Sequence, residues 1–411
     1  MPAPAASDSP ASPWRIVAVA WLGMVLNYVD RQVAFSIFPV LRSDLGFTES
    51  QLGLVGLVFI WTYSALNPFA GRLADLWRRE HLLAASITLW SLATLGTATS
   101  RSPLEFLVWR GVMGVTEAAY VPAAVSLIAT AHAGSTRSRA TAIYSTGQMA
   151  GIVVGGWFGG WMATGPGWRL GYVVLGLFGL LFAPVFYRLL GRVSAAPVAA
   201  PVAAARREGH AAGGVSRCFV AHCVAFFMLC AMLWIVYSWL PDLLYRRFDF
   251  SLAKAGLLAT ACGQTGSIAG LFAGGWLADR LVREIRPGRF YVAALGLALA
   301  APCIAVVFSA TSFPVLAVAT FGFGFCTSMF AGNTFAAAFD VVHPGRYGVA
   351  TGILNMIGGL GGGLAMYAVG SLGADVSVRA CAAAAVAAAI LLAVVARWQF
   401  DADRSRAGLR D

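Results

Sequence analysis

Apolar stretches long enough to cross a membrane alternate with short polar turns along almost the whole chain. A helix needs about 20 predominantly apolar residues to cross the hydrocarbon core of a bilayer. We place twelve such segments between Trp14 and Trp398, six in each half of the chain. The predicted spans are 14–41, 49–71, 82–100, 104–131, 140–163, 167–190, 217–245, 254–277, 289–309, 313–339, 346–372 and 376–398. The predicted fold class is an all-α polytopic membrane protein with twelve transmembrane helices in two pseudo-symmetric six-helix bundles.

The polar stretches around these spans divide the chain into five parts. Residues 1–13 are rich in Pro, Ala and Ser and are predicted to be a disordered cytoplasmic N-terminus. Residues 14–190 and 217–398 are predicted to form the two six-helix bundles. Residues 191–216 show no apolar period and are predicted to be a cytoplasmic linker. Residues 399–411 are predicted to be a cytoplasmic tail.

Composition and charge placement support a membrane protein. The chain is 11% charged and 59% hydrophobic, whereas an average soluble domain is about a quarter charged. The net charge of +11 could indicate a nucleic-acid partner, but 20 of the 29 basic residues lie on the side that holds both termini, 7 on the opposite side and 2, Arg31 and Arg110, inside predicted spans. This bias predicts cytoplasmic termini in a multi-pass protein of the cell inner membrane, with the lipid bilayer and not nucleic acid as its partner.

A short motif occurs once in each half of the chain, 204 residues apart. Residues 71–75 read Gly-Arg-Leu-Ala-Asp and residues 275–280 read Gly-Trp-Leu-Ala-Asp-Arg. Two copies of one bundle that face each other across a central path are a common architecture of secondary transporters, because rocking one half against the other exposes a midplane site to each side in turn. The repeat therefore predicts a solute carrier.

The two copies resemble the signature loop of the major facilitator superfamily, which lies between the second and third helices and again between the eighth and ninth. In that family the loop latches the cytoplasmic side of the outward-facing state. The resemblance implies gate roles for Gly71, Asp75, Arg79, Gly275, Asp279, Arg280 and Arg283. The first copy departs from the family pattern at Leu76, Arg78 and Glu80, which predicts a weaker or differently paired latch.

Two further motifs resemble particular branches of that superfamily. Residues 27–31 (Asn-Tyr-Val-Asp-Arg) and 110–118 (Arg-Gly-Val-Met-Gly-Val-Thr-Glu-Ala) resemble the anion:cation symporter branch and the neighbouring Spinster-like branch. Residues 151–160 lack the proline that drug-export branches carry in their fifth helix, which disfavours a drug or metabolite exporter. The clustered glycines at 155–156, 159–160 and 358–363 are predicted to mark helix interfaces.

Four ionisable residues lie at predicted membrane depth: Asp30, Arg31, Arg110 and Glu117. An isolated charge at that depth is costly and is tolerated when it is paired or faces a cavity. Arg110 and Glu117 are seven residues apart, about 10 Å along one helix face, and are predicted to face the central cavity. Asp30 and Arg31 diverge by about 100° around their helix and are predicted to meet different partners.

The chemistry of these side chains predicts their roles. An arginine stays charged and offers a planar fork of donors to a substrate carboxylate. A buried carboxylate whose arginine partner is captured by a substrate changes its proton affinity during the cycle. We therefore predict that Arg31 contacts the substrate anion, that Asp30 and Glu117 carry protons, and that Arg110 exchanges between Glu117 and other partners, as in the symporter branch. The alternative is that the four charges only neutralise one another and hold the first and fourth helices in register.

Other polar and aromatic side chains within the spans are candidates for the substrate cavity. Midplane sites of this architecture recruit both halves, although hydrogen bonds to neighbouring helices explain such residues equally well. Besides Arg31, the predicted substrate-binding residues are Tyr28, Tyr63, Tyr120, Gln148, Asn333 and Asn355, and Asn67, Tyr144, Tyr237 and Gln264 are secondary candidates.

The leading interpretation is a secondary active transporter that carries a small organic anion, such as a sugar acid or other carboxylate, by proton-coupled symport and alternating access. No span of the second half has a basic residue at its centre, so the anion site is asymmetric and suits a monoanion better than a phosphate ester. The alternative is a Spinster-like carrier or exporter of a lysolipid or other amphipathic metabolite.

Other classes of protein are disfavoured. The tail at 401–411 offers no domain for a solute sensor, and no solvent-facing segment carries the residue groupings of an enzyme. The seven cysteines lie in apolar spans without metal-binding spacing, so no metal is predicted. No cofactor is predicted, the proton gradient being the driving force. One chain encloses a complete path, so a monomer suffices.

Overall fold

The structure is a computed structural model in which residues 13–132, 136–191 and 216–409 are described. Within these ranges the chain is almost entirely helical and contains no β-strand, as the sequence predicts. The predicted disordered N-terminus and the predicted linker fall almost wholly outside the described residues.

The helices of the two halves follow one another with short connections. The first half contains α1 (Pro13–Ser36), α2 (Phe38–Leu45), α3 (Glu49–Leu76), α4 (Arg79–Ala98), α5 (Pro103–Glu117), α6 (Tyr120–Ala131), α7 (Arg137–Thr164) and α8 (Trp168–Gly191). The second half contains α9 (Arg217–Phe248), α10 (Leu252–Val282), α11 (Gly288–Ser309), α12 (Phe313–Ala331), α13 (Thr334–Phe339), a single 3-10 turn (Pro344–Arg346), α14 (Tyr347–Leu372) and α15 (Ala374–Arg406).

Each predicted span lies on one of these helices or on a broken pair of them. By length and composition, eight described segments are apolar enough to cross a membrane, or up to nine if α2 and the apolar part of α3, bent by 118°, count as one span. The long helices α1, α7 and α10 do not meet that composition test. Spans of this number and length support a polytopic membrane protein, while the count of twelve stays a prediction.

Local signals in the sequence set the helix boundaries. Before α3, the Thr48 hydroxyl accepts a hydrogen bond from the Gln51 amide, and the Gln51 side chain accepts one from the Thr48 amide. This capping box satisfies two backbone donors that a helix start leaves free. At α5 the Ser102 hydroxyl accepts a hydrogen bond from the Glu105 amide, and Pro103 is the first helical residue. α2 ends at Gly46, whose φ of 69° is the left-handed conformation that glycine adopts at low cost.

Rows of glycine let the helices approach closely. Along α7, Gly147, Gly151, Gly155 and Gly159 face α1, and a Cβ on Gly155 would lie 2.8 Å from the Val29 carbonyl oxygen. A side chain at this position would clash with the facing backbone, so only glycine fits. Close packing of this kind matters in a membrane, because lipid gives no hydrophobic driving force for helix association. The prediction that these glycine clusters mark helix interfaces is confirmed.

The two halves meet along two helix pairs, α7 with α10 and α3 with α14. A Cβ on Gly256 of α10 would clash with the Gly156 carbonyl of α7. A Cβ on Gly359 of α14 would clash with Ser64 of α3. We call the end at which α1 begins and α15 ends the proximal end, and the opposite end the distal end. The contacts between the halves lie from the distal end to the middle of the helices, so the halves are closed at the distal end.

The fourth span of each half is broken. In the first half the break lies near the middle, between α5 and α6 and directly after Glu117. In the second half it lies closer to the end of the span, between α12 and α13 at Gly332 and Asn333. A helix break frees backbone groups that need other partners, and in the second half the Asn333 side chain donates to the Met329 carbonyl.

Candidate substrate cavity

A buried ion pair joins the first helix to the fourth span. Arg31 Nε of α1 lies 2.7 Å from Glu117 Oε2 at the end of α5, and their side chains are 4% and 0% exposed. Two charges are tolerated at membrane depth because each neutralises the other. The sequence predicted separate roles for these residues, and the structure brings them into direct contact.

Three aromatic rings surround the Arg31 guanidinium. Its central carbon lies 4.7 Å from the ring centroid of Tyr28, 5.0 Å from that of Phe59 and 4.5 Å from that of Tyr63. Rings at these distances stabilise a cation through their quadrupoles. Sequence reasoning missed Phe59, although its spacing of four residues from Tyr63 places both rings on one helix face, where they stack 6.1 Å apart.

The ion pair leaves hydrogen-bonding capacity unused. Among the described residues, Arg31 Nη2 and Glu117 Oε1 are buried and make no hydrogen bond of 3.5 Å or less, although the Asn27 side chain lies beside the Glu117 carboxylate. Buried polar atoms nearly always have a partner, and exceptions often belong to functional sites. A ligand that brings one carboxylate would supply an acceptor for the free edge of the guanidinium.

Asp30 and Arg110 lie deeper in the first half. Asp30 is 1% exposed and lies close to Arg110, Glu117 and Trp90. Arg110 is fully buried, donates from Nε to the Val55 carbonyl at 3.4 Å, and lies 4.6 Å from the Phe59 ring centroid. Packing between α3 and α5 encloses the Arg110 side chain, and Glu117 is equally buried. The expectation that both face the central cavity stays a prediction.

The second half contributes a tyrosine to the same region. Gln32, next to Arg31 in sequence, donates from Nε2 to the Tyr237 carbonyl of α9 at 3.0 Å. Gln264 of α10 donates to the Tyr237 hydroxyl at 3.3 Å. The Tyr237 side chain interacts electrostatically with Tyr28. The secondary candidates Tyr237 and Gln264 thus lie beside the Arg31 pocket, as midplane sites between two halves require.

Two predicted substrate-binding residues are hydrogen bonded to neighbouring helices instead. Tyr120 is fully buried and its hydroxyl donates to the Ala20 carbonyl at 2.9 Å. Asn333 donates from Nδ2 to the Gly274 carbonyl at 3.1 Å and to the Met329 carbonyl at 2.9 Å. Their geometry supports packing roles in this conformation and gives no support to substrate contact.

The remaining two candidates have accessible side chains. Asn355 is exposed on α14, one turn before Gly359 and on the side that meets α3 further along. Gln148 is half-buried on α7, one turn after Tyr144. Both positions stay available to a solute that enters between the halves.

The predicted gate residues lie at the proximal end. Gly71 and Asp75 belong to the last turns of α3, and their side chains lie outside the described part of the structure. Arg79 is buried and donates to Thr130 of α6 at 3.0 Å, within its own half.

The second copy of the motif is open to its surroundings. Asp279, Arg280 and Arg283 are exposed, and a Cβ on Gly275 would meet no atom within 4 Å. These positions are those expected when the proximal end is open.

The distal end is closed by a ring of four charges that sequence reasoning missed. Arg42 binds Asp242 at 2.7 Å and Glu49 at 2.8 Å, and Arg246 binds Glu49 at 2.7 Å and Asp242 at 3.0 Å. Each half supplies one arginine and one carboxylate. Partial burial lowers the pKa of Arg42, but hydrogen bonds to Asp242 and Glu49 outweigh it and raise the pKa above its ordinary value, so the cation is permanent. The sequence signal that could have predicted this ring is the pairing of opposite charges near the ends of helices, Arg42 with Glu49 in the first half and Asp242 with Arg246 in the second.

With the geometry described, the chain can be compared with known proteins. The sequence profile of the Major Facilitator Superfamily matches residues 20–286 and 222–410. The chain belongs to the major facilitator superfamily. It is therefore a membrane transporter and not an enzyme. Among the described residues no group of three or more His, Cys, Asp or Glu is placed to hold a metal ion.

Within the superfamily, the chain is similar to transporters of several kinds. It is 28% identical to the gallate transporter of Pseudomonas putida over 84% of this chain and 82% of that protein. It is 22% identical to the D-galactonate transporter of Escherichia coli over 87% of this chain and 88% of that protein. It is also 37% identical to human protein spinster homolog 1 over a shorter match of 140 residues. This match covers 33% of this chain and 26% of that protein.

A solved structure shares the fold over the whole chain. The crystal structure of a bacterial homolog to the human lysosomal transporter Spinster, in an inward-facing and occupied conformation, superposes with a TM-score of 0.78 and covers 96% of this chain and 99% of that one. At 19% identity this likeness concerns the fold alone.

Proposed function

We propose that this protein is a secondary transporter that carries a small organic anion together with protons. The observation that carries the proposal is the buried Arg31–Glu117 pair with one unused donor and one unused acceptor, set among aromatic rings where the two halves meet. Relatives named as transporters of gallate and of D-galactonate both act on carboxylates, which supports an anionic substrate.

The pair offers a physical route to coupling. A substrate carboxylate that binds the free edge of Arg31 competes with Glu117 for the same cation. Once it loses that partner, buried Glu117 is more stable when protonated, because burial disfavours its charged form. Substrate binding and proton uptake then favour each other, which is the requirement for symport. Asp30, buried beside Arg110, is the second site that we assign to proton binding.

The direction of opening follows from the charge bias. With both termini in the cytoplasm of a cell with an inner membrane, the closed distal end faces outward and the structure is the inward-open state. The ring of Arg42, Glu49, Asp242 and Arg246 is then the outer gate, and the proximal motif residues form the inner latch, which engages only in the outward-open state.

A second candidate, a Spinster-like carrier of amphipathic lipids, is favoured by two observations. The first is the similarity to human protein spinster homolog 1. The second is a cavity of about 490 Å³ near the proximal end with an apolar lining, formed by Phe219, Val220, Cys223, Val224, Phe227, Ile353 and Ile357. Such a lining suits an acyl chain.

Uptake into proteoliposomes distinguishes the two candidates. The labelled panel contains aromatic carboxylates, sugar acids and a lysolipid, with and without an inward proton gradient, and compares the wild type with Arg31→Ala. Arg379→Ala is the matched control, because Arg379 is exposed at the distal end of α15 and pairs with Asp375 in the preceding turn. We expect gradient-driven accumulation of a carboxylate that Arg31→Ala abolishes and Arg379→Ala preserves. Transport of the lysolipid at a rate that depends neither on the proton gradient nor on Arg31 would contradict the proposal.

A further inference from the structure

The surroundings of Arg31 carry information about the body of the substrate as well as its charge. We propose that the site selects a monocarboxylate with a flat aromatic ring, and that it discriminates against polyhydroxylated acids. This inference rests on the proposed function, since it concerns the same site.

The first argument is the chemistry of the pocket wall. The side chains that surround the guanidinium are Tyr28, Phe59 and Tyr63 from the first half. On the facing half, the Tyr237 ring packs edge to face with Trp234, which in turn packs against Phe35 of α1. A ligand whose carboxylate reaches Arg31 therefore extends along aromatic surfaces, where a flat ring gains stacking and dispersion energy.

The second argument is that the polar side chains between the aromatic rings and the second half are already occupied. Gln32 donates to the Tyr237 carbonyl, Gln264 donates to the Tyr237 hydroxyl, and Thr62 donates to the Val58 carbonyl within α3. A polyhydroxylated acid brings several hydroxyl groups that lose water on entry and need new partners. Because these partners are engaged with the protein, each such hydroxyl is penalised.

The third argument limits the number of charges. In the described residues at this depth, Arg31 and Arg110 each keep an unused guanidinium donor, but Arg110 is fully buried and enclosed between α3 and α5. Even with Glu117 protonated, a second negative charge on the ligand would lie at membrane depth without a second accessible cation. A monoanion therefore fits and a dicarboxylate does not.

In the described part of the chain, two buried uncharged polar side chains near the ion pair keep unpartnered atoms, and one of them suits a ring hydroxyl. Asn27 lies beside Glu117, at the charged end of the site. Tyr144 of α7 is 1% exposed, interacts electrostatically with Tyr28, Tyr63 and Arg31, and its hydroxyl has no hydrogen-bond partner among the described residues. A phenolic hydroxyl across the ring from the carboxylate would give it one. The geometry therefore favours a hydroxylated aromatic acid over the unsubstituted ring.

Binding to the purified full-length protein tests this selectivity. The probes are benzoate, 4-hydroxybenzoate, gluconate and phthalate, each titrated against the wild type and followed by thermal shift and by competition with radiolabelled 4-hydroxybenzoate. We expect the dissociation constant to be at least about tenfold lower for the hydroxylated aromatic acid than for gluconate or phthalate, the size of effect that unpaired buried polar groups produce.

Two variants examine the proposed contacts. Tyr63→Leu removes one aromatic ring of the site and should reduce the preference for the aromatic acid over gluconate. Tyr63→Phe keeps the ring and should retain the preference. Tyr144→Phe should bring the affinities for benzoate and 4-hydroxybenzoate close to each other. Tyr187→Phe is the control, because Tyr187 lies on α8 and hydrogen bonds to His81 away from the cavity.

The outcomes separate this inference from the proposed function. Tighter binding of gluconate than of either aromatic acid, abolished by Arg31→Ala, would overturn the inference and leave an organic-anion transporter. If no carboxylate binds and a lysolipid does, the proposed function itself fails. An unchanged ratio of the two aromatic affinities in Tyr144→Phe would remove Tyr144 from the site.

Discussion

The two halves of this molecule share a fold and differ in how they treat buried polarity. In the first half, polar atoms of Asn27, Asp30, Arg31, Arg110, Glu117, Tyr144 and Tyr172 are buried without hydrogen-bond partners among the described residues. In the second half most buried polar side chains are hydrogen bonded to backbone or to one another, as for Gln264, Ser267, Thr320, Thr327 and Asn333. His222 is the exception that keeps one unpartnered ring nitrogen among the described residues. The first half therefore retains groups that can act on a solute or a proton, while the second half is packed as a scaffold and a wall.

The broken fourth spans of the two halves differ in the same way. The first half places Glu117 at its break and pairs it with Arg31 of another helix. The second half places Asn333 at its break, where one amide donor group serves the carbonyls of Gly274 and Met329. The helix break of the first half thus carries a charged side chain that can change its partner. The helix break of the second half carries an amide that is fixed by backbone hydrogen bonds.

The largest effect is expected from removing a buried cation of the first half. Arg110→Leu leaves Asp30 buried without its neighbouring positive charge, and such an uncompensated charge costs about 3–5 kcal/mol. We expect a marked fall in the thermal unfolding midpoint of the purified protein. The double variant Asp30→Asn with Arg110→Leu should recover most of the loss. Equal stability of the single variant and the wild type would show that the two charges do not compensate each other.

A smaller effect is expected at the break of the second half. Asn333→Leu leaves two buried carbonyls without their donor and should lower the free energy of unfolding by about 1–3 kcal/mol, with little change in the KM for transport. Ser371→Ala, which removes an exposed hydroxyl bonded within its own helix at the distal end of α14, is the control and should change stability by less than about 0.5 kcal/mol. A raised KM with unchanged stability in Asn333→Leu would assign Asn333 to the substrate site and weaken the contrast between the halves.

Sequence patterns predicted the fold well because hydropathy and the repeated motif are properties of whole segments. They could not predict which side chains meet, because that depends on the rotation of each helix about its axis. Arg31 and Glu117 lie 86 residues apart, and nothing local shows that their helices face each other. The contact between Phe59 and Arg31 was not predicted for the same reason.

Polar residues within spans were the weakest part of the sequence prediction. A buried tyrosine or asparagine serves a ligand or a neighbouring backbone group equally well, and Tyr120 and Asn333 were found bonded to backbone. The ring of charges at the distal end was not predicted, because its charges lie outside the apolar spans or at their ends. Only the folded arrangement shows that Arg42 and Asp242, 200 residues apart, are partners.

The smallest of these effects is expected where both halves contribute equally, in the ring at the distal end. Glu49→Gln weakens two partly exposed ion pairs, with Arg42 and Arg246, each worth about 0.2–1 kcal/mol, and should shift the population modestly toward the state that is open at that end. Distances between spin labels on α2 and α9 would report the shift. Asp375→Asn, which removes a fully solvated pair within α15, is the control. No change in the distance distribution would show that glycine packing alone holds the distal end closed.

The central claim is that Glu117 couples the proton to the solute, and one comparison tests it directly. Glu117→Gln protein in proteoliposomes would be assayed for substrate counterflow, which needs binding and exchange only, and for accumulation driven by an inward proton gradient. The account predicts that counterflow persists while the internal substrate concentration no longer rises above the external one. Continued gradient-driven accumulation by Glu117→Gln would contradict the claim, and loss of both activities together with a lowered unfolding temperature would leave the ion pair as a structural link between α1 and α5.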